Sequence, residues 1–188
     1  MNELVDQCRL LGITIQPNVC GDAAYGSEEN YAYLEKNNMA SYLKFPAWYR
    51  EKTGQLAKDT FRSETWKYDA DNDRFTCPDG RDVTFTHESH AINQSGYEIV
   101  RRHYACVDCS DCPLTKECKH ESEKARTVQK SVKGEQYKEV ARQNLESTKG
   151  HEMRSQRGID VEPVFGDIKY NMHHRRFLLR SMPKVLVE

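Results

Sequence analysis

Asn18-Val19-Cys20-Gly21-Asp22-Ala23-Ala24-Tyr25-Gly26-Ser27-Glu28-Glu29 is the stretch that decides the fold class. Asn18 to Cys20 reads as a short buried strand with Asp22 at its C-terminal end. Small residues and glycine then permit a tight turn, Ser27 is an N-cap, and Glu28 and Glu29 suit the positive end of a helix dipole. Tyr31 and Leu34 fall where they can face a core, the helix runs to about Lys36, and Ala40 to Phe45 reads as the next strand. Strand, acid, turn, helix, strand is an α/β unit. Upstream of it, Leu4, Cys8 and Leu11 at i, i+4 and i+7 predict a short amphipathic helix ending near Gly12.

Downstream, residues 46–130 change character. Arg74 to Cys77 and Asp82 to Thr86 alternate around Pro78-Asp79-Gly80, which predicts a hairpin because Pro presets one turn residue and Gly accepts a positive φ. Tyr97 to Tyr104 reads as a further strand, so this region is β-rich. From residue 131 helical spacing returns. Tyr137, Val140, Ala141 and Leu145 share one face, Gly150 is a plausible stop, and Ile168, Met172 and Phe177 continue an apolar stripe. Pro163 is tolerated near a helix start, which puts Glu162 in a cap, a first turn or a kink.

A second stretch, Val161-Glu162-Pro163-Val164-Phe165-Gly166-Asp167-Ile168-Lys169, mirrors the first in offering a carboxylate beside small residues and glycine. Two distant segments each supplying one acid is what a divalent metal site for phosphodiester chemistry requires. Local sequence alone reads otherwise: Asp22 and Glu162 serve equally well as turn or cap residues, and Lys169 as a solvated lysine. From Arg154 to Lys184 seven Lys/Arg face three Asp/Glu, a local excess of +4 in a chain whose net charge is −1. That gathering suits a polyanion, although a solvated helical face carries the same signature.

Asp22 with its Ala-Ala-Tyr-Gly-Ser-Glu-Glu-Asn-Tyr continuation, Val161 to Lys169, and Arg175-Arg176-Phe177-Leu178-Leu179-Arg180 together resemble the C-terminal part of an insertion-sequence transposase. The group is of the DDE type, eleven-eighty-two-like, with a ribonuclease-H-like core and a cysteine-bearing insertion. The resemblance implies an α/β fold: residues 1–45 as the first part of the core, 46–130 as the β-rich insertion, and 131–188 as the helical C-terminal part. It implies that Asp22 and Glu162 are catalytic and bind magnesium. Lys169 and Arg157 would contact DNA backbone, in the basic stretch that holds Arg175, Arg176 and Arg180. It implies insertion-sequence ends as the DNA partner, cut and joined with magnesium, and a homodimer as the assembly. Two positions depart from the family pattern: Ala24 stands where glycine is usual, and Arg154 where a tyrosine is expected. The pattern also requires a first aspartate at a strand end, whereas Asp6, the only Asp before Asp22, falls on a predicted helix. The expectation is therefore a fragment that lacks an N-terminal segment of the same protein and is inactive alone.

Cys106, Cys109, Cys112 and Cys118 form a Cys-x2-Cys-x2-Cys-x5-Cys run, and Cys77 lies in a turn that can approach it. In a reducing compartment such thiols point to a structural zinc held by four of the five. An iron–sulfur cluster and plain reduced thiols are the alternatives. Cys8 and Cys20 read as small core residues. At 37% hydrophobic and 30% charged, with no apolar run near the roughly 20 residues of a membrane helix and no signal peptide, the chain reads as cytoplasmic. A zinc-stapled nucleic-acid-binding or interaction module without catalysis is the competing class.

Overall fold

The computed structural model describes residues 2–119 and 125–173. Helix α1 (Asn2–Leu10) ends at Gly12, whose φ of +70° terminates it in the left-handed region that glycine adopts freely. The expected face is corrected: Val5 is buried, whereas Leu11 is 75% exposed. Strand β1 (Asn18–Gly21), helix α2 (Glu28–Lys36) and strand β2 (Ala40–Leu43) then form the α/β unit read from the sequence. The two strands pair in parallel, Asn18 opposite Ala40 and Gly21 opposite Leu43. The Ser27 hydroxyl caps α2 by accepting from Asn30 N at 3.2 Å, and Tyr31 Oη donates to the Leu43 carbonyl at 3.0 Å, tying the helix to the strand that follows it.

After the short helix α3 (Trp48–Lys52) the chain builds a five-stranded antiparallel sheet in sequential order. Its strands are β3 (Lys67–Asp69), β4 (Arg74–Thr76), β5 (Asp82–Ile92), β6 (Glu98–Cys106) and β7 (Thr127–Lys130). The Pro78-Asp79-Gly80 turn joins β4 to β5 as expected, with Gly80 at φ +79°. Strands β3 and β7 had no counterpart in the sequence reading. Trp66, Phe75, Val83, Tyr104, Cys106 and Val128 form the core on this sheet. Helix α4 (Thr115–Lys119) lies between β6 and β7.

The long β5–β6 hairpin reaches back to the start of α2. Asn93 Nδ2 donates to Glu29 at 2.7 Å, Tyr97 Oη to Glu28 at 3.1 Å, and Ser131 Oγ to Glu28 at 2.5 Å. One carboxylate thus joins α2, the sheet and the N-cap of α5 (Val132–Glu146). Ala141 and Leu145 of α5 are fully buried against Leu34, Leu43 and Phe45, while Val140, expected beside them, is 52% exposed.

Helix α6 (Thr148–Gly166) follows after a single residue, Ser147, whose hydroxyl accepts from Gly150 N at 3.0 Å. Gly150 is therefore a first-turn residue of α6 rather than the end of α5. A Cβ at this position would fall 2.1 Å from the Asn144 carbonyl oxygen and 2.7 Å from that of Leu145, so only glycine lets the two helices meet at this angle. Helix α6 packs back on α5, β1 and β2. No helix among the described residues is long and apolar enough to cross a membrane. Gly150→Ala should cost about 1–3 kcal/mol by overpacking this joint, read as a fall in the thermal midpoint; an unchanged midpoint would contradict the close approach.

Candidate functional site at the end of the first strand

Asp22 follows the last residue of β1 and is the cap of a short 3-10 turn, Ala23–Tyr25. This turn is pressed onto the neighbouring strand end: a Cβ on Gly26 would lie 2.1 Å from the Lys44 carbonyl oxygen and 2.8 Å from Phe45 Cα. Glycine is needed here for close approach, since its φ of −79° is open to any residue. Lys44 N donates to the Gly21 carbonyl at 3.3 Å, so Lys44 directly adjoins Asp22 across the parallel pair.

Helix α6 closes the site from above. Arg157 projects from its middle and donates to Asp22 Oδ2 at 2.5 Å, with side-chain exposures of 26% and 51%. This contact spans 135 residues of sequence. Cys20, one residue before the end of β1, records the local field. Burial raises its thiol pKa and Asp22 adds to that, while Arg157, Lys44 and Arg154 pull it down. Cations therefore dominate the end of β1, with Asp22 the carboxylate among them.

Glu162 lies in the last third of α6, not in its cap or first turn, and Pro163 stands inside the helix. The missing Pro163 N–H frees the carbonyl of Ile159, a residue 65% exposed, where water can satisfy it. Glu162 is exposed and, among the described residues, makes no hydrogen bond or ion pair. Five residues separate it from Arg157, roughly 7.5 Å along the axis and about 140° around it, so the residue that meets Asp22 is the arginine and not the second acid. After Gly166 the helix widens into a π-helical turn (Asp167–Asn171), with Met172 N donating to the Asp167 carbonyl at 3.0 Å. The seven-residue step from Glu162 to Lys169 thus no longer equals two α-helical turns, and Lys169 Nζ lies 5.8 Å from the centroid of the Phe165 ring. Met172, expected on an apolar stripe, is 68% exposed. Arg175, Arg176 and Arg180 lie outside the described residues, as does Phe177.

A second cluster sits at the far end of the sheet. The Cys77 N–H donates to the Arg81 carbonyl at 2.9 Å, folding the β4–β5 turn so that Cys77 approaches Cys106 at the end of β6. Thr115 Oγ1 donates to the carbonyls of Cys109 at 3.2 Å and Cys112 at 2.7 Å, drawing the loop around the start of α4, which carries Cys118. All five cysteines line one cavity of about 20 Å³ together with Arg81, Lys119 and Arg126. Burial, with the neighbouring Cys109, pushes the Cys106 thiol up to about 12; Cys118 is raised by burial, against the pull of Arg126. Even so, no three His, Cys, Asp or Glu side chains among the described residues converge into a ready metal site, here or at Asp22.

Comparison with known proteins gives one match. The family model for the transposase DDE domain covers residues 76–188. That span holds most of the five-stranded sheet, the cysteines of the cavity, Glu162 and Lys169; Asp22 and the parallel strand pair precede it. No curated protein and no solved structure matches. Lys44 is the feature that sequence reading passed over: an isolated lysine after a short strand carries no signal until the parallel register sets it beside Asp22.

Because both partners are partly solvated, the Asp22–Arg157 pair should contribute less than about 1 kcal/mol after solvent screening. A double-mutant cycle with Asp22→Asn and Arg157→Gln in urea tests this; a coupling above about 2 kcal/mol would make the pair a structural strut.

Proposed function

We propose, for a chain that belongs to the transposase DDE-domain family, that the end of β1 is a metal-dependent site for cutting and joining DNA at the ends of an insertion sequence. The family match carries the transposase-type reading and implies DNA as substrate and a divalent metal such as magnesium. Asp22 and Glu162 are the proposed metal-binding carboxylates; Glu162 stands about 140° around α6 from Arg157, so the end of α6 must turn for it to join Asp22. Asp22 suits the role chemically: it is a hard oxygen donor, half exposed, at the carboxyl end of a parallel strand, the place where open α/β sheets bind ligands. Magnesium keeps several waters and takes only one or two carboxylates, so convergence of three acids on one ion is not required. When bound, the metal supplies Lewis-acid stabilisation of the scissile phosphate and a more acidic attacking hydroxyl.

The protein's own share is positioning. Arg157 holds the Asp22 carboxylate in one orientation and neutralises it, and it must turn away for Asp22 to take a cation. Turned toward solvent, its planar fork suits a DNA phosphate, and Lys169 is the second proposed backbone contact.

For the cysteine cavity we propose a structural zinc held by four of Cys77, Cys106, Cys109, Cys112 and Cys118. Tetrahedral zinc is the usual structural partner of four clustered thiolates, and the Cys-x2-Cys-x2-Cys-x5-Cys spacing departs from the ferredoxin run. What supports it is that all five cysteines line one cavity, around which Thr115 and the Arg81 turn draw the loops.

Two measurements test these roles. Electron paramagnetic resonance of Mn2+ titrated into the chain with a short duplex should show binding weakened at least about tenfold by Asp22→Ala and by Glu162→Ala; unaltered binding in both variants would remove the site. Elemental analysis of the purified chain should find about one equivalent of zinc, lost in Cys106→Ser with a fall in melting temperature. Iron with visible colour, or no metal, would contradict the zinc assignment.

A further inference from the structure

Lys44, Arg154 and Arg157 are all half-buried around the end of β1: Lys44 adjoins Asp22 across the parallel pair, and Arg154 stands three residues before Arg157 on α6. Arg157 is matched to Asp22. Lys44 and Arg154 form no ion pair among the described residues. Both stand instead over the buried indole of Trp48, Lys44 Nζ 5.5 Å and Arg154 Cζ 5.1 Å from its centroid. Arg154 is steadied further by donating to the Leu145 carbonyl and by His151 Nδ1 at 2.9 Å.

Half-buried Lys and Arg bury their stems and keep a hydrated head, so a cation with no carboxylate partner keeps its charge for an incoming anion. Here two are drawn together on one aromatic ring, at the carboxyl end of a parallel strand, with one carboxylate between them and a third cation. The arrangement leaves an excess of two positive charges, preorganised by Trp48 and by the end of α5. An anion placed there meets fixed donors instead of mobile surface lysines.

We propose that Lys44 and Arg154, carried on Trp48, cradle a backbone phosphate of DNA beside Asp22, an inference that rests on the transposase reading. Lys44 and Arg154 hold this phosphate whether Arg157 is closed on Asp22 or turned away from it.

The test is binding of the full chain to a short duplex across a salt series. Lys44→Met keeps the stem over Trp48 and removes the charge; it should lower the slope of log affinity against log salt by about one. Between 50 and 200 mM salt the variant should then lose roughly three- to fourfold less affinity than the unsubstituted chain. Lys44→Arg should restore the slope, and Arg154→Gln should repeat the loss from the other cation, with melting curves verifying that each variant is folded. An unchanged slope in both Lys44→Met and Arg154→Gln, or a Lys44→Arg variant that behaves like Lys44→Met, would overturn the cradle alone. Absence of any salt-dependent duplex binding by the unsubstituted chain would overturn the transposase reading and the cradle with it.

Discussion

Helix α6 lies across the carboxyl ends of two parallel strands, and the Arg157–Asp22 contact is where that crossing becomes chemistry. Everything at the site depends on it. Gly150 lets α6 turn back against α5 at Leu145, burial of Ala141 and Leu145 fixes α5 on β2, and α6 is then set over β1. The energy that holds the crossing comes from apolar burial and from a glycine-only backbone contact. The ion pair contributes little stability because water reaches both partners. A weak pair at a rigidly built location is well suited to exchange its partners, which a site for a cation and a polyanion requires.

The same logic explains why the sheet is tied to the start of α2. Glu28 accepts from Tyr97 and Ser131, and Glu29 from Asn93, so the β5–β6 hairpin braces the helix that follows the Asp22 turn. The sheet with its cysteines and the parallel strand pair therefore do not act as separate bodies joined by a linker. A zinc at the far end of the sheet would stiffen β4, β5 and β6, and through the hairpin it would steady the turn that carries Asp22.

Parts of this architecture were legible in the sequence and parts were not, for physical reasons. The strand, acid, turn and helix around Asp22 could be read because each step has a local cause: Ser27 as cap, Tyr31 and Leu34 one turn apart, small residues in the turn. The Pro78-Asp79-Gly80 hairpin was readable for the same reason. Strands β3 and β7 are not, because three or four residues with at most one buried side chain, Val128 in β7 and none in β3, form a strand only when a neighbour supplies the hydrogen bonds. Gly150 was misread as a stop because helix-ending and helix-packing glycines look alike in sequence; the break is one residue, Ser147, with its own cap. Pro163 in sequence points to a helix start or a kink for Glu162, and the helix-start reading fails because α6 tolerates proline where the freed carbonyl meets water. At the site, Asp22 and Arg157 were both singled out, but their contact spans 135 residues and only tertiary structure reveals it.

On the proposed reading, Asp22 trades Arg157 for a metal ion when DNA is present. Crystals of the chain grown with a short duplex and Mn2+, measured for anomalous scattering, address it most directly. A manganese peak is expected on the Asp22 carboxylate, with the Arg157 guanidinium turned away from it. An Asp22 still closed on Arg157, with manganese bound elsewhere or not at all, would contradict it.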